Sequence, residues 1–228
     1  MPCAANTGYP PMRFCSNGLR CIIKAITLRP VRDYKIMLSI VCPNWNHFSA
    51  LSGFVMSYPE TVHIGPYSIT FNTFGFFAQD TVLTRCAQAN IIMFSSFMHR
   101  IYNQKRLKIV DMFQRTRYTP LPDPGLSLEG ICDILYRNSI PANFQTIYYT
   151  SEDCYEKQQS AVAVVKAYIE SRLPVIIYHN HHVVIVIGHT KEPHKQFIVY
   201  DDSGVFFEST HHEAPFVAAI SEDEFIPN

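Results

Sequence analysis

The sequence predicts a segregated α+β fold, in which a group of helices is followed by an antiparallel sheet. Two observations on the order of elements predict it: three helical patterns lie between residues 85 and 171, and several short apolar strands follow Pro174. A third observation concerns size, because 228 residues with 47% hydrophobic side chains can bury one full core. We therefore expect a globular α+β protein.

The longest helix is predicted over residues 85–102, RCAQANIIMFSSFMHRIY, because this stretch lacks glycine and proline. It is apolar on most of its faces, which is typical of a helix buried in the middle of a domain. Thr84, directly before it, is a good N-cap residue. Cys86 is therefore expected in the first turn of this helix.

Two further helices are predicted from the spacing of apolar residues. After the N-cap candidate Ser127, apolar residues recur at i, i+3, i+4 and i+7, and this helix is expected to end near Asn138. Another helix is predicted over residues 158–171, where one face carries four apolar side chains: Ala161, Val164, Val165 and Tyr168.

Strands are predicted from continuous apolar runs and from alternation. The continuous runs after Pro174 are residues 175–178, 183–187, 197–200 and 205–207. Earlier in the chain a strand is predicted at 36–41, and residues 67–72 alternate after a turn at Gly65-Pro66.

Residues 1–66 are the least regular part of the chain. Their apolar content, which includes Trp45 and Phe48, favours packing against the rest of the protein. We therefore expect an N-terminal extension over residues 1–66, as a pro-segment, a partner-binding module or added strands on the sheet, and a main domain over residues 67–228.

Composition limits the partners and the compartment. Basic and acidic residues both number 19 without a block of like charge, so no nucleic-acid partner is expected. No apolar run approaches the roughly 18 residues that a membrane-spanning helix needs. Seven cysteines without a CxxC couple favour free thiols in a reducing compartment. The N-terminus lacks the apolar core of a secretory signal, so a cytosolic protein is expected, or one exported without such a signal.

The stretch YHNHHVVIVIGHT contains the histidines that could do chemistry. If the strands that begin at Val183 and Phe197 form a hairpin with a four-residue loop, His182 lies directly across from Asp201. A loop that is one residue longer would place Asp202 there instead. Either register predicts an imidazole that a carboxylate orients.

Cys86 is the candidate nucleophile. In the first turn of a helix, unpaired backbone N–H groups and the helix dipole favour a thiolate, and Arg85 adds positive charge. Seven residues earlier, Gln79 carries an amide that could donate to an oxyanion together with the backbone N–H of Cys86. A thiolate, an imidazole, a carboxylate and an amide donor form the set required for acyl transfer at a carbonyl carbon.

Four motifs in this order resemble the papain-like cysteine peptidases, nearest to the bacterial branch of double-glycine leader peptidases. The motifs lie within about residues 67–225 and are QDTVLTRCA (79–87), LPVII (173–177), HVVIVIG (182–188) and FIVYD (197–201). The resemblance implies a helical subdomain whose central helix carries the nucleophile and packs on an antiparallel sheet.

The resemblance also implies a role for each matching residue. It implies Gln79 as oxyanion donor, Cys86 as nucleophile, and His182 as general base and then acid. Asp201 would orient the imidazole, although the doublet Asp201-Asp202 leaves either carboxylate open for this role. The implied protein is a thiol peptidase or amidase that cleaves a peptide or isopeptide bond in a peptide or protein substrate, without metal or cofactor.

Three other functions stay open at this point. A transglutaminase-like acyltransferase would use the same thiolate, imidazole and carboxylate. A papain-like scaffold that only binds a partner would fit an inert, buried Cys86. A histidine-ligated metal protein is the third, because His179 and His181 would share one face of a strand and His182 the other. Asn180 between them is typical of a turn, which argues against the metal site.

Overall fold

The computed structural model describes residues 25–30, 36–42, 53–77, 86–114, 126–145, 154–179, 182–191, 195–201 and 217–222. Within these ranges the strands are β1 (Ala25–Pro30), β2 (Ile36–Cys42), β3 (Gly53–Val55), β4 (Tyr58–Ile64), β5 (Tyr67–Gly75), β6 (Val175–His179), β7 (His182–Thr190), β8 (Gln196–Tyr200) and β9 (Val217–Ser221). The helices are α1 (Cys86–Tyr102), α2 (Ile109–Gln114), α3 (Leu128–Arg137) and α4 (Cys154–Glu170).

The strands form two antiparallel sheets. The first has the order β1-β2-β5-β4, and the second has the order β3-β7-β8-β9, with β6 also paired to β7. Strands β6 and β3 share one edge of β7, because β6 pairs with residues 182–186 and β3 with residues 188–190. Strand β7 therefore lies inside the second sheet.

The α+β class is confirmed at this coarse level. The predicted order, helices followed by a sheet, is incomplete, because five strands precede α1. Strands β1, β3, β4 and β9 and helix α2 were not predicted. Strand β3 has only three residues, and β4 contains Pro59 and Glu60, so neither presents the apolar run that marks a strand. The predicted strand 205–207 lies outside the described residues.

Helix α1 is buried over most of its circumference, as predicted. Its buried residues run almost without a break from Ala87 to Met98. It packs against β7 on one side and β5 on the other. None of the described helices has the length and apolar character needed to cross a bilayer. Thr84, the predicted cap of α1, lies outside the described residues.

Three aromatic rings join α1 to both sheets. Phe74 on β5 stacks on Phe97 of α1 at a centroid distance of 4.8 Å and meets Tyr200 of β8 edge-on at 5.6 Å. The Tyr200 hydroxyl donates to the Phe74 carbonyl oxygen at 3.0 Å, which satisfies its polar end inside the core. Such ring pairs stabilise by about 0.5–1.5 kcal/mol beyond the area they bury. This cluster fixes the position of α1 against β8.

The other predicted helices are confirmed, with one shifted start. Ser127 caps α3 by accepting a hydrogen bond from the Gly130 backbone N–H at 3.2 Å, and Asn138 forms the C-cap. Helix α4 begins at Cys154, four residues before its predicted start, and ends at Glu170.

Residue 66, the predicted end of the N-terminal extension, lies in the turn of a hairpin. Strands β4 and β5 pair from Tyr58↔Thr73 to Ile64↔Tyr67. The turn requires a positive φ at Gly65, +57°, which glycine adopts without strain. The division into two domains stays a prediction, and the described residues before it pair with strands after it.

Candidate active site

His182 and Asp201 come from neighbouring strands of the second sheet. His182 is the first residue of β7, and Asp201 directly follows β8. The His182 Nε2 atom lies 2.9 Å from the Asp201 Oδ1 atom, which is a hydrogen-bond distance. The side chain of Asp201 is only 3% exposed and that of His182 14%. The carboxylate is thus enclosed, while part of the ring stays open to solvent.

The register that we expected between these strands is wrong by two residues. Ile185 pairs with Tyr200, and the register shifts between Val186 and Gly188. Continuing the Ile185 register by one step would place Asp201 opposite Val184 rather than opposite His182. The cause is a longer connection than the four-residue loop we assumed, together with the irregularity in β7.

The His182–Asp201 pair still forms, because a register shift of two residues leaves both side chains on the same face of the sheet. Side chains alternate along a strand, so His182 and Val184 point to the same face. Asp201 is then a diagonal neighbour of His182, a separation that long side chains bridge. A shift of one residue would have separated the two groups. Asp202, the alternative carboxylate, lies outside the described residues.

Strands β6 and β7 form a hairpin that corrects our view of the preceding histidines. His179 pairs with His182 across this hairpin, and residues 180–181 connect the strands. We had placed His179, His181 and His182 on one strand, with His182 on the opposite face; His179 and His182 instead belong to two paired strands, and His181 lies outside the described residues. Among the described residues there is no group of three or more side chains suited to a metal ion.

Cys86 is brought to His182 by the packing of α1 on β7. It is the first residue of α1, it is partly buried, and it lies close enough to the His182 ring to raise the pKa of that ring. Because Nε2 of the ring is engaged by Asp201, Nδ1 is the nitrogen left for the sulfur. Three of the four predicted site residues therefore meet at one place.

The protonation of His182 follows from its neighbours. Burial lowers the pKa of His182, but the hydrogen bonds to Asp201 and to Cys86, together with the negative charges of these groups, outweigh burial and raise it to about 10. The ring is therefore an imidazolium at neutral pH, with a carboxylate on one side and sulfur on the other.

Asn90 is a site residue that we did not predict. Its Nδ2 atom donates to the Cys86 carbonyl oxygen and to the Val183 carbonyl oxygen, both at 2.8 Å. The side chain is fully buried on α1. The signal that could have found it is an amide side chain one turn after Cys86 in an otherwise apolar helix.

Gln79, the predicted oxyanion donor, lies outside the described residues, so its role stays a prediction. The backbone N–H of Cys86 is a second predicted donor. As the first residue of α1, Cys86 has one of the N–H groups that a helix leaves without an internal partner.

An apolar cavity lies apart from these residues. It has a volume of about 510 Å³ and lies between α1, α3, α4 and β6, with mostly apolar walls. Phe94 and Met98 of α1 line it, and so do the four apolar residues predicted to share a face of α4. Neither Cys86, His182 nor Asp201 lines it. The cavity and the group formed by Cys86, His182 and Asp201 thus lie in different places, and we take that group as the candidate site.

Comparison of the chain with protein-family models, curated proteins and solved structures gives no match. The fold and the arrangement of Cys86, His182, Asp201 and Asn90 are therefore the basis for inferring a function. Together they describe an α+β protein with a thiol, an imidazole and a carboxylate in hydrogen-bonded sequence.

Proposed function

We propose that the protein is a papain-like thiol hydrolase that cleaves a peptide or isopeptide bond. One observation carries the proposal: the His182 ring lies 2.9 Å from the Asp201 carboxylate and close enough to Cys86 for both groups to raise its pKa. This is the geometry that activates a sulfur nucleophile. The proposed peptidase domain covers residues 67–228, and the substrate is a peptide or a protein.

The location of Cys86 supports the papain-like assignment. The thiol lies at the N-terminus of a buried helix that packs on an antiparallel sheet, and the imidazole comes from that sheet. The chain order Cys86, His182, Asp201 agrees with the resemblance noted in the sequence. A reducing cytosol, which the cysteine pattern favours, would keep Cys86 as a free thiol.

In the first half of the reaction Cys86 attacks the substrate carbonyl carbon. Because the His182 ring is already an imidazolium, Cys86 attacks as a thiolate, and its sulfur forms a bond to the carbonyl carbon, giving a tetrahedral oxyanion. The imidazolium then protonates the leaving amine as the C–N bond breaks, which leaves a thioester on Cys86. The Cys86 backbone N–H, with Gln79 as proposed second donor, stabilises the oxyanion.

In the second half water cleaves the thioester. His182 takes a proton from water, the hydroxide oxygen bonds to the thioester carbon, and the C–S bond breaks. The carboxylic acid product leaves, and the sulfur is released as a thiolate beside the His182 imidazolium, which restores the starting state. Asp201 stays ionised throughout, where it orients the ring and stabilises its positive charge. An amine in place of water would give acyl transfer with the same residues.

Selective alkylation of the thiols tests the proposal, with Cys132 as internal comparator. Cys132 is partly buried on the cavity wall, and burial, with a smaller effect of Glu129, raises the pKa of its thiol. A thiol of pKa about 8.5 is only about 1% thiolate at about pH 6.5. If His182 holds Cys86 as a thiolate, iodoacetamide should modify Cys86 on the order of 10²-fold faster than Cys132 at that pH.

The measurement is mass-spectrometric peptide mapping of the full chain after timed exposure to iodoacetamide. A fluorogenic peptide library provides the activity readout, with Cys86→Ala as the inactive variant and circular dichroism as the control for folding. Equal labelling of Cys86 and Cys132 would contradict the proposal. Hydrolysis that survives in Cys86→Ala would contradict it as well.

A further inference from the structure

We infer that Asn90 is a positioning residue, whose amide holds the nucleophile helix against the strand that carries the base. This inference rests on the proposed function and adds a residue to it. The observation behind it is that one buried Nδ2 group donates to two carbonyl oxygens that belong to different elements, Cys86 on α1 and Val183 on β7.

The two acceptors belong to a reactive residue and to the chain neighbour of another. One carbonyl belongs to Cys86 itself, and the other belongs to Val183, which directly follows His182. The amide therefore spans the interface between helix and sheet at the level of the reactive pair. Asn90 and Cys86 both belong to α1, so it is the 2.8 Å hydrogen bond to Val183 that lengthens when α1 moves away from β7.

The hydrogen bond to Val183 is not needed to build the helix. In an α-helix the Cys86 carbonyl already accepts from the backbone N–H of Asn90, four residues later. The side-chain amide adds a second bond to that carbonyl and a bond to another element. Its function is therefore to fix the helix in place rather than to complete it.

The cost of placing Asn90 there supports a functional role. The residue is fully buried, and its Oδ1 atom has no hydrogen-bond partner among the described residues. A buried acceptor without a partner loses its hydration without compensation. An apolar side chain of similar size would avoid this cost, so the core gains little from asparagine at this position beyond its two donated bonds.

Asn90→Leu and Asn90→Ser separate the two hydrogen bonds. Leucine is of similar size and removes both donors. Serine in a helix donates back to the carbonyl four residues earlier, so it keeps a bond to Cys86 but is too short to reach Val183. If the link between the elements matters, both variants should loosen the contact between Cys86 and His182.

Ser95→Ala is the matched control. Ser95 is also fully buried on α1, where its hydroxyl donates to the Ile92 carbonyl at 3.1 Å and accepts from the Leu107 backbone N–H at 3.2 Å. Its removal deletes buried hydrogen bonds from the same helix without touching β7. A purely structural effect should thus be as large in Ser95→Ala as in the Asn90 variants.

The readout is the pH dependence of Cys86 alkylation by iodoacetamide in the full chain, from about pH 5 to about pH 9. In the unchanged protein and in Ser95→Ala the rate should stay high on the acid side. In both Asn90 variants it should fall on the order of 10-fold or more at about pH 6.5, and approach the unchanged rate near pH 9, where an ordinary thiol of pKa about 8.5 is largely ionised. Thermal melting reports folding separately.

The outcomes separate the two proposals. If Cys86 of the unchanged protein reacts no faster than Cys132, the proposed function fails and the role of Asn90 falls with it. If Cys86 is highly reactive and a folded Asn90→Leu or Asn90→Ser keeps its acid-side rate, only the positioning role is overturned. If leucine prevents folding, the serine variant decides the question. An equal loss of the Cys86 alkylation rate at acidic pH in Ser95→Ala would also overturn the positioning role of Asn90.

Discussion

Strand β7 carries two histidine–carboxylate pairs of nearly identical geometry. At its start His182 Nε2 lies 2.9 Å from Asp201 Oδ1, and near its end His189 Nε2 lies 3.0 Å from Glu170 Oε1. In the described part of the chain a cysteine, Cys86, lies beside the ring of the first pair, and none is described beside the ring of the second. The comparison shows that the hydrogen-bond distance alone does not identify a reactive histidine.

The two pairs differ in which member faces solvent. In the first pair the carboxylate is 3% exposed and the ring 14%, whereas in the second the ring is 3% exposed and the carboxylate 56%. His189 also lies with Nδ1 at 3.3 Å from the Thr190 carbonyl oxygen and packs near the Phe54 ring. A ring enclosed in this way stabilises the sheet, whereas proton transfer to substrate requires a ring that substrate can approach.

Replacing each histidine in turn should show the largest difference. We expect His182→Ala to lower peptide hydrolysis by roughly 10²–10⁴-fold, the usual contribution of a general base. His189→Ala should leave the rate per folded molecule nearly unchanged and instead lower the melting temperature, because it removes a buried ring and its hydrogen bonds. Initial rates, together with thermal melting of both variants, provide the measurement.

If the two variants lose activity equally while both remain folded, the distinction between the pairs is lost. Scaling the rates to the folded fraction excludes a loss that comes only from unfolding.

Replacing each carboxylate should give a smaller difference of the same kind. Asp201→Asn keeps the shape but removes the charge that stabilises the imidazolium, so hydrolysis should fall, by less than in His182→Ala. Glu170→Gln changes a side chain that is 56% exposed, and exposed pairs typically contribute only about 0–1 kcal/mol. The rate of Cys86 alkylation at mildly acidic pH should fall together with hydrolysis in Asp201→Asn, and measuring both rates tests this prediction. A larger loss of either rate in Glu170→Gln than in Asp201→Asn would contradict it.

The pH dependence of stability should show the smallest effect. The pKa of His182 is raised from 6.5 to about 10 in the folded protein, so folding favours its protonated form. The resulting stabilisation is fully present below about pH 6.5 and is lost as the pH rises through about 10. His182→Gln should therefore lower the melting temperature most in mild acid, and this difference should shrink by about pH 11.

Melting curves of the unchanged protein and of His182→Gln, measured in parallel across this range, test the direction. A melting-temperature difference that grows toward alkaline pH would show that the folded state favours the neutral ring, contrary to the charged arrangement derived for the site.

Local sequence patterns determined much of the helical part and the central strands. A helix without glycine or proline that begins near Cys86, a capped helix after Ser127 and the apolar run after His182 all have strong short-range signals, and all three are present. Strands such as β3 and β4 lack such signals, because they are short or interrupted by polar residues and proline, and only pairing with a neighbour defines them.

For the candidate site, too, the sequence determined one part and the tertiary structure another. The sequence by itself determined which groups are chemically suited to acyl transfer, because Cys86 precedes a helical pattern and His182 and Asp201 flank apolar strands. Only the tertiary structure decided that His182 and Asp201 meet diagonally, since their register depends on the full connection between the strands and an irregularity within β7. It also decided that Asn90 joins helix and sheet, because a contact between residues 93 positions apart leaves no local pattern in the chain.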